Sequence, residues 1–81
     1  MNYVERKGAN MSSIVKVIEV IAQSKKSWED AAANAIKKAS KSVDNIKSIY
    51  IKDMSAKVDN GKIVLYRIDA KISFVVGKKK K

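Results

Sequence analysis

An α+β fold of order β-α-β-β, with a three-stranded antiparallel sheet wrapped around one helix, is predicted by three features of this 81-residue sequence. The run from Ile14 to Ala22 is dense in β-branched residues, and a capped amphipathic segment begins at Ser27. Two long alternating segments then flank Asp59-Asn60-Gly61.

Ile14 to Ala22 is too short for a comfortable helix and reads as a strand. Val15, Val17 and Ile21 share one face with Glu19, while Ile14, Ile18 and Val20 share the other with Lys16. Each face is apolar apart from one charge, so both need cover. A single sheet layer in a small monomer cannot provide that.

The helix opens at Ser27-Trp28-Glu29-Asp30. Ser27 can accept from the orphan N–H groups of the first turn, and Glu29 and Asp30 complement its positive dipole end. Trp28, Ala32, Ala35, Ile36, Ala39 and Val43 recur at helical spacing as one apolar stripe, with Lys37, Lys38 and Lys41 opposite. Ala31, Ala32, Ala33 and Ala35 keep the helix thin, so the sheet can approach closely. Asp44-Asn45 is predicted to end it.

The second strand spans Lys47 to Val58, with Ile49 and Ile51 on one face and Ser48, Tyr50, Lys52 and Met54 on the other. The third, Lys62 to Val76, puts Val64, Tyr66, Ile68, Ala70, Ile72, Phe74 and Val76 on one face. Arg67, Asp69, Lys71 and Ser73 take the other. Strands this long extend beyond what one short helix can shield, so a homo-oligomer is expected.

Composition bounds the chemistry. The formal charge is +10, but the Lys78 to Lys81 run and the leader carry half of it, leaving +5 for residues 13 to 77. Residues 1–12 read as a disordered leader, 13–77 as one domain, and 78–81 as a solvated tail. The absence of Cys, His and Pro excludes disulfides, thiolate nucleophiles, Cys/His zinc sites and a histidine base. No apolar run approaches a membrane span and no secretory signal is visible, so a cytoplasmic location is expected. With no nucleophile–base pair, paired carboxylates or phosphate-cradling glycine loop, the chain reads as non-enzymatic.

Several runs together resemble the dodecins. They are Ile18-Glu19-Val20-Ile21, Ser24, Ser27-Trp28-Glu29-Asp30-Ala31-Ala32, Asn34-Ala35-Ile36, Ala39, Ser42-Val43-Asp44-Asn45-Ile46, Gly61-Lys62, Tyr66-Arg67-Ile68 and Ser73-Phe74. The likeness covers residues 14 to 76 in order, without large gaps. It implies a β-α-β-β protomer, a hollow homododecamer and binding of a flavin, FMN or riboflavin.

The functional positions depart from that pattern. Flavin-binding dodecins stack a Trp on the isoalloxazine ring where this chain has Ser48, and place Gln where it has Arg67. An Arg often found near the ligand phosphate corresponds to Ser55. Losing the stacking ring removes on the order of 1–3 kcal/mol, about tenfold to over a hundredfold in affinity. Tyr50, two residues along, offers a displaced ring, and Arg67 can donate to a carbonyl or phosphate or stack through its guanidinium. Asp53 matches a family position near the flavin channel. The altered pocket is therefore assigned to Ser48, Tyr50, Asp53 and Arg67. Some dodecins without the Trp are described as calcium-binding, so calcium is the alternative cofactor. Asp44, Asp53, Asp59 and Asp69 have no EF-hand spacing, and a calcium site would draw carboxylates from several subunits.

Structural roles compete with ligand roles at several positions. Trp28 and Tyr66 read as packing residues from their apolar faces. Arg67, Asp69 and Lys71 also fit an inter-subunit ion-pair network. The reading is a non-enzymatic, dodecin-like homo-oligomer that binds or stores a small ligand, with weak or absent flavin affinity. The alternatives are a flavin-free dodecin holding calcium or another ligand at subunit interfaces, and a basic-tail binder of nucleic acid or membrane surfaces.

Overall fold

The computed structural model describes residues 14–76; the leader and the lysine tail lie outside the described residues. The elements are β1 (Ile14–Ser24), α1 (Trp28–Ala39), β2 (Ile46–Asp59) and β3 (Lys62–Val76). The sheet order is β1-β3-β2 and both pairings are antiparallel. The last strand is therefore central, with β1 and β2 running parallel on either side of it. The helix packs on one face of this sheet, as predicted.

The alternation of β3 explains the core. Ile68, Ala70 and Ile72 are fully buried and Phe74 nearly so, and all four face the helix. Val20 and Ala22 stand opposite Ala70 and Ile68 on one side, and Ile49 and Ile51 stand opposite Ile72 and Ala70 on the other. Ala31 closes the core from above. The predicted stripe runs through Ala32, yet Ala31 is the buried helix residue. Three consecutive alanines leave the phase open, and the side position of Trp28 fixes it. Its ring meets Tyr66 edge-on, with centroids 4.9 Å apart and planes at 80°.

The helix also ends sooner than Asp44. Ser40 caps it, its hydroxyl donating to the Ile36 carbonyl at 2.7 Å. Lys41 and Ser42 then make tighter bonds to Lys38 and Ala39, three residues back. Val43 stays half-buried beyond the helix, and Asn45 adopts a left-handed conformation with φ 62° before β2 begins.

At the other end the chain is firmly fastened. Ser27 accepts from the Asp30 amide at 2.9 Å, the predicted cap. Buried Ser24 donates to the Asp30 carboxylate at 2.6 Å and accepts from the Lys26 amide at 2.8 Å. This satisfied serine extends β1 two residues past Ala22. The β2–β3 hairpin turns on Asn60 and Gly61, with φ 55° and 73°, the signs a two-residue primed turn requires.

The β2–β3 ladder departs from strict alternation between Ile46 and Ser48, between Ile51 and Asp53, and between Lys57 and Val58, and the middle shift bears on the site. Ile51 pairs with Ala70 and Asp53 with Asp69, so Lys52 is an extra residue, a β-bulge. The bulge reverses the phase of the residues beyond it. Met54 pairs with Ile68 and Ala56 with Tyr66, placing both on the helix side. Simple alternation puts Met54 on the face of Ser48 and Tyr50; the bulge moves it to the other.

β1 stops opposite Tyr66, so the hairpin arm beyond has no third strand. Val58, Ile63 and Val64 on this arm are exposed, as are Ile14, Val15, Val17 and Ile21 on β1. Among the described residues, no helix is long and apolar enough to cross a membrane.

Candidate functional site

The face of the sheet turned away from α1 gathers all four candidate residues. Ser48 stands opposite Ser73, Tyr50 opposite Lys71, Asp53 opposite Asp69, and Ser55 opposite Arg67. β1 adds Val15, Val17, Glu19, Ile21 and Gln23 to the same face through its register with β3.

Three pairs of polar side chains bond each other on this face: Ser48 with Ser73, Lys52 with Glu19, and Arg67 with Gln23. The Ser48 and Ser73 hydroxyls hydrogen-bond each other, so position 48 carries a small, engaged polar group where a stacking ring would lie. Tyr50 is 64% exposed, the freest aromatic surface on this face. Arg67 donates through Nε to Gln23 Oε1 at 3.0 Å, which fixes the guanidinium toward the β1 edge. A hollow of about 310 Å³ lies beside it, between Ser55, Lys57 and Arg67. Trp28 braces this end from the helix layer, its Nε1 donating to the Ser55 carbonyl at 2.8 Å.

The centre of the face is an ionic cluster that the sequence pattern only half identifies. Lys52, lifted by the bulge, reaches across β3 to the Glu19 carboxylate at 3.4 Å. Glu19 is held below the usual carboxylate range by a hydrogen bond with Asp69 and then by the Lys52 charge. Asp69 is pushed up by that same hydrogen bond and then by burial. The Glu19 charge raises Lys52. Within a protomer, Arg67 is thus engaged by Gln23, while Asp69 Oδ1 has no hydrogen-bond partner. The lone charge interrupting the apolar face of β1 is the available signal for Glu19. Lys52 cannot be assigned without the bulge.

The chemistry on offer is binding. A polar face with one exposed ring, a fixed guanidinium and flanking carboxylates can hold a planar or anionic molecule. No group of three or more metal-ligating side chains close enough to hold an ion occurs among the described residues of one protomer. The larger cleft, about 620 Å³, lies on the opposite layer between α1 and β1, lined by Ile18, Val20, Ala22, Ala35, Lys38 and Val43. None of the four candidate residues reaches it.

Comparison with known proteins agrees with this architecture. The dodecin family profile matches residues 14–77. A calcium dodecin of Mycobacterium tuberculosis is 40% identical over 62 residues, covering 76% of this chain and 87% of the relative. Its crystal structure, described as having a novel calcium-binding site, superposes with a TM-score of 0.70 over 85% of this chain and 99% of that one. Dodecin from Streptomyces coelicolor shares the fold at 17% identity, with a TM-score of 0.80 over 86% of this chain and all of that one. The β-α-β-β order, the capped helix and the hairpin all fall within the matched span, and the chain belongs to the dodecin family.

Proposed function

We propose that this protein is a non-enzymatic homododecamer that binds or stores a small ligand on the open face of its sheet. Its affinity for flavin is weak or absent. The observation carrying the ligand reading is Ser48, a serine bonded to Ser73 at the position where flavin-binding dodecins place their ring. Tyr50 and Arg67 are the remaining ligand-facing groups, with Asp53 flanking them. The exposed apolar residues of β1 and of the hairpin arm support assembly, because an isolated protomer leaves them in water.

Quenching titrations with FMN and riboflavin test the ligand reading. The chain is expected to purify colourless and to quench weakly. Ser48→Trp strengthens binding, and Arg67→Gln adds to it by restoring an amide at the flavin's polar edge. The four combinations form a cycle that separates stacking from edge bonding. Tight binding that Ser48→Trp leaves unchanged would overturn the reading.

A second reading, calcium, is favoured by the mycobacterial relative. Since one protomer offers no three-ligand cluster among its described residues, the ion would be coordinated by carboxylates of several protomers. Calcium would then raise the melting temperature of the assembled particle, and a chelator would reverse the rise. Magnesium at the same concentration would do less, because it requires a tighter octahedral cage.

A further inference from the structure

The cleft between α1 and β1 lies on the other side of the sheet from Ser48, Tyr50, Asp53 and Arg67. It holds about 620 Å³, the size of a small-molecule pocket. Ile18, Val20 and Ala22 form one wall, since alternate residues of a strand share a face. Ala35, Ala39 and Val43 form the other, at the four-residue spacing of one helix side. All six are half-buried, covered in part by the core and open in part to the cleft. The alanines of α1 create this space, because larger side chains there would close it.

The cleft has a direction. Lys38 is the one charged side chain among the described residues lining it, and Ser42, four residues on, adds a hydroxyl. Lys41 is exposed next to Ser42, and Lys16 is exposed two residues before Ile18 on the same face of β1. From Asn34 to Ile46 the chain carries three lysines and one acid, Asp44. Among the described residues the ion pair is Lys52 with Glu19, so no carboxylate there neutralises Lys38. The other end of the helix is acidic: the Asn34 amide donates to Asp30 Oδ2 at 3.2 Å, and Glu29 is exposed in the same turn. The negative end of the helix dipole does little against the lysines. Its Ile36, Lys38 and Ala39 carbonyls already accept bonds from Ser40, Lys41, Ser42 and Val43.

We propose that this cleft binds a single-chain anionic amphiphile, a fatty carboxylate, with its acyl chain between the two apolar walls and its carboxylate at Lys38. An apolar trough with a cation at one end matches a ligand that is apolar along its length and negative at one end. A second copy of the chain matches less well. Its exposed apolar arm, Val58, Ile63 and Val64, is flanked by Lys57 and Lys62, which would meet Lys38 and Lys41 as like charges. The site goes beyond the proposed function and is independent of it. None of the four residues of the open face reaches the cleft, so a flavin titration decides nothing about it.

Isothermal titration of the assembled full-length protein with octanoate, decanoate and dodecanoate, each below its micelle concentration, tests the proposal. Affinity should rise about tenfold for every two carbons added, the gain expected from burying two CH₂ groups. Dodecyltrimethylammonium, the same chain with a positive head, should bind about tenfold more weakly than dodecanoate. Lys38→Glu should reverse that order. Lys62→Glu, which changes the net charge equally at the hairpin turn, should leave the order as it is. Ala35→Phe should abolish dodecanoate binding by filling the trough. If Ala35→Phe fails to assemble, Lys38→Glu decides the matter alone, since Lys38 is exposed. Absence of dodecanoate binding would mean that a neighbouring protomer covers the cleft, and would overturn the proposal. Equal affinity for the two headgroups would overturn it as well, as would capture on anionic phospholipid vesicles without binding of free dodecanoate.

Discussion

Replacing Trp28 probes the joint between the helix and the hairpin. A fully buried aromatic cut to alanine costs about 3–5 kcal/mol. Trp28 is only half-buried, so a smaller loss is expected. The hydrogen bond from Nε1 to the Ser55 carbonyl is worth about 0.5–1.5 kcal/mol. The edge-to-face contact with Tyr66 adds about 0.5–1.5 kcal/mol, and lost apolar area supplies the remainder. Trp28→Ala should therefore destabilise by about 2–3 kcal/mol, and Trp28→Phe, which removes the hydrogen bond but keeps a ring, by about 1 kcal/mol. Trp28 is the only tryptophan in the chain, so fluorescence is lost with it. Urea unfolding should be followed by circular dichroism at fixed protomer concentration, because subunit association shifts the midpoint. A cycle with Tyr66→Leu should return a coupling of about 1 kcal/mol. A Trp28→Ala change within about 0.5 kcal/mol, or no coupling, would refute the role given to this ring.

Single contacts lead to further expected outcomes. Ser27→Ala removes the acceptor for the Asp30 amide and should cost about 1 kcal/mol in the same unfolding assay, with Ser27→Gly costing less. Gly61→Val should cost about 1–2 kcal/mol from backbone strain alone. Its φ is 73° and nothing lies within 4 Å of an added Cβ, so steric crowding adds nothing. Val58→Lys on the exposed hairpin arm should leave the protomer's circular dichroism spectrum unchanged. It should also shift sedimentation toward smaller species, since the apolar overhang is what association covers.

Where alternation is unbroken, the sequence can be read residue by residue. In β3, every residue assigned inward from Ile68 to Phe74 is buried, because a central strand under a helix leaves no freedom of phase. The cap at Ser27 and the turn at Asn60-Gly61 are legible for the same reason, since each rests on a local requirement of the backbone. Alternation misplaces Met54 because a bulge depends on how β2 is aligned with β3, a non-local property. The stripe misses Ala31 because a run of alanines carries no phase of its own. In the candidate site, Ser48, Tyr50, Asp53 and Arg67 do share one face of the sheet. The Lys52–Glu19 bridge joins residues 33 apart in sequence through a bulge, and no spacing rule reaches that far.

The mass of the particle in solution tests the central claim most directly. Multi-angle light scattering at micromolar protomer concentration should give twelve times the 9.0 kDa chain, with the mass holding on dilution. A folded, stable monomer at that concentration would contradict the account. It would mean that β1 and the hairpin arm tolerate water on their exposed apolar residues, and that the open face needs no neighbouring protomer to form its site.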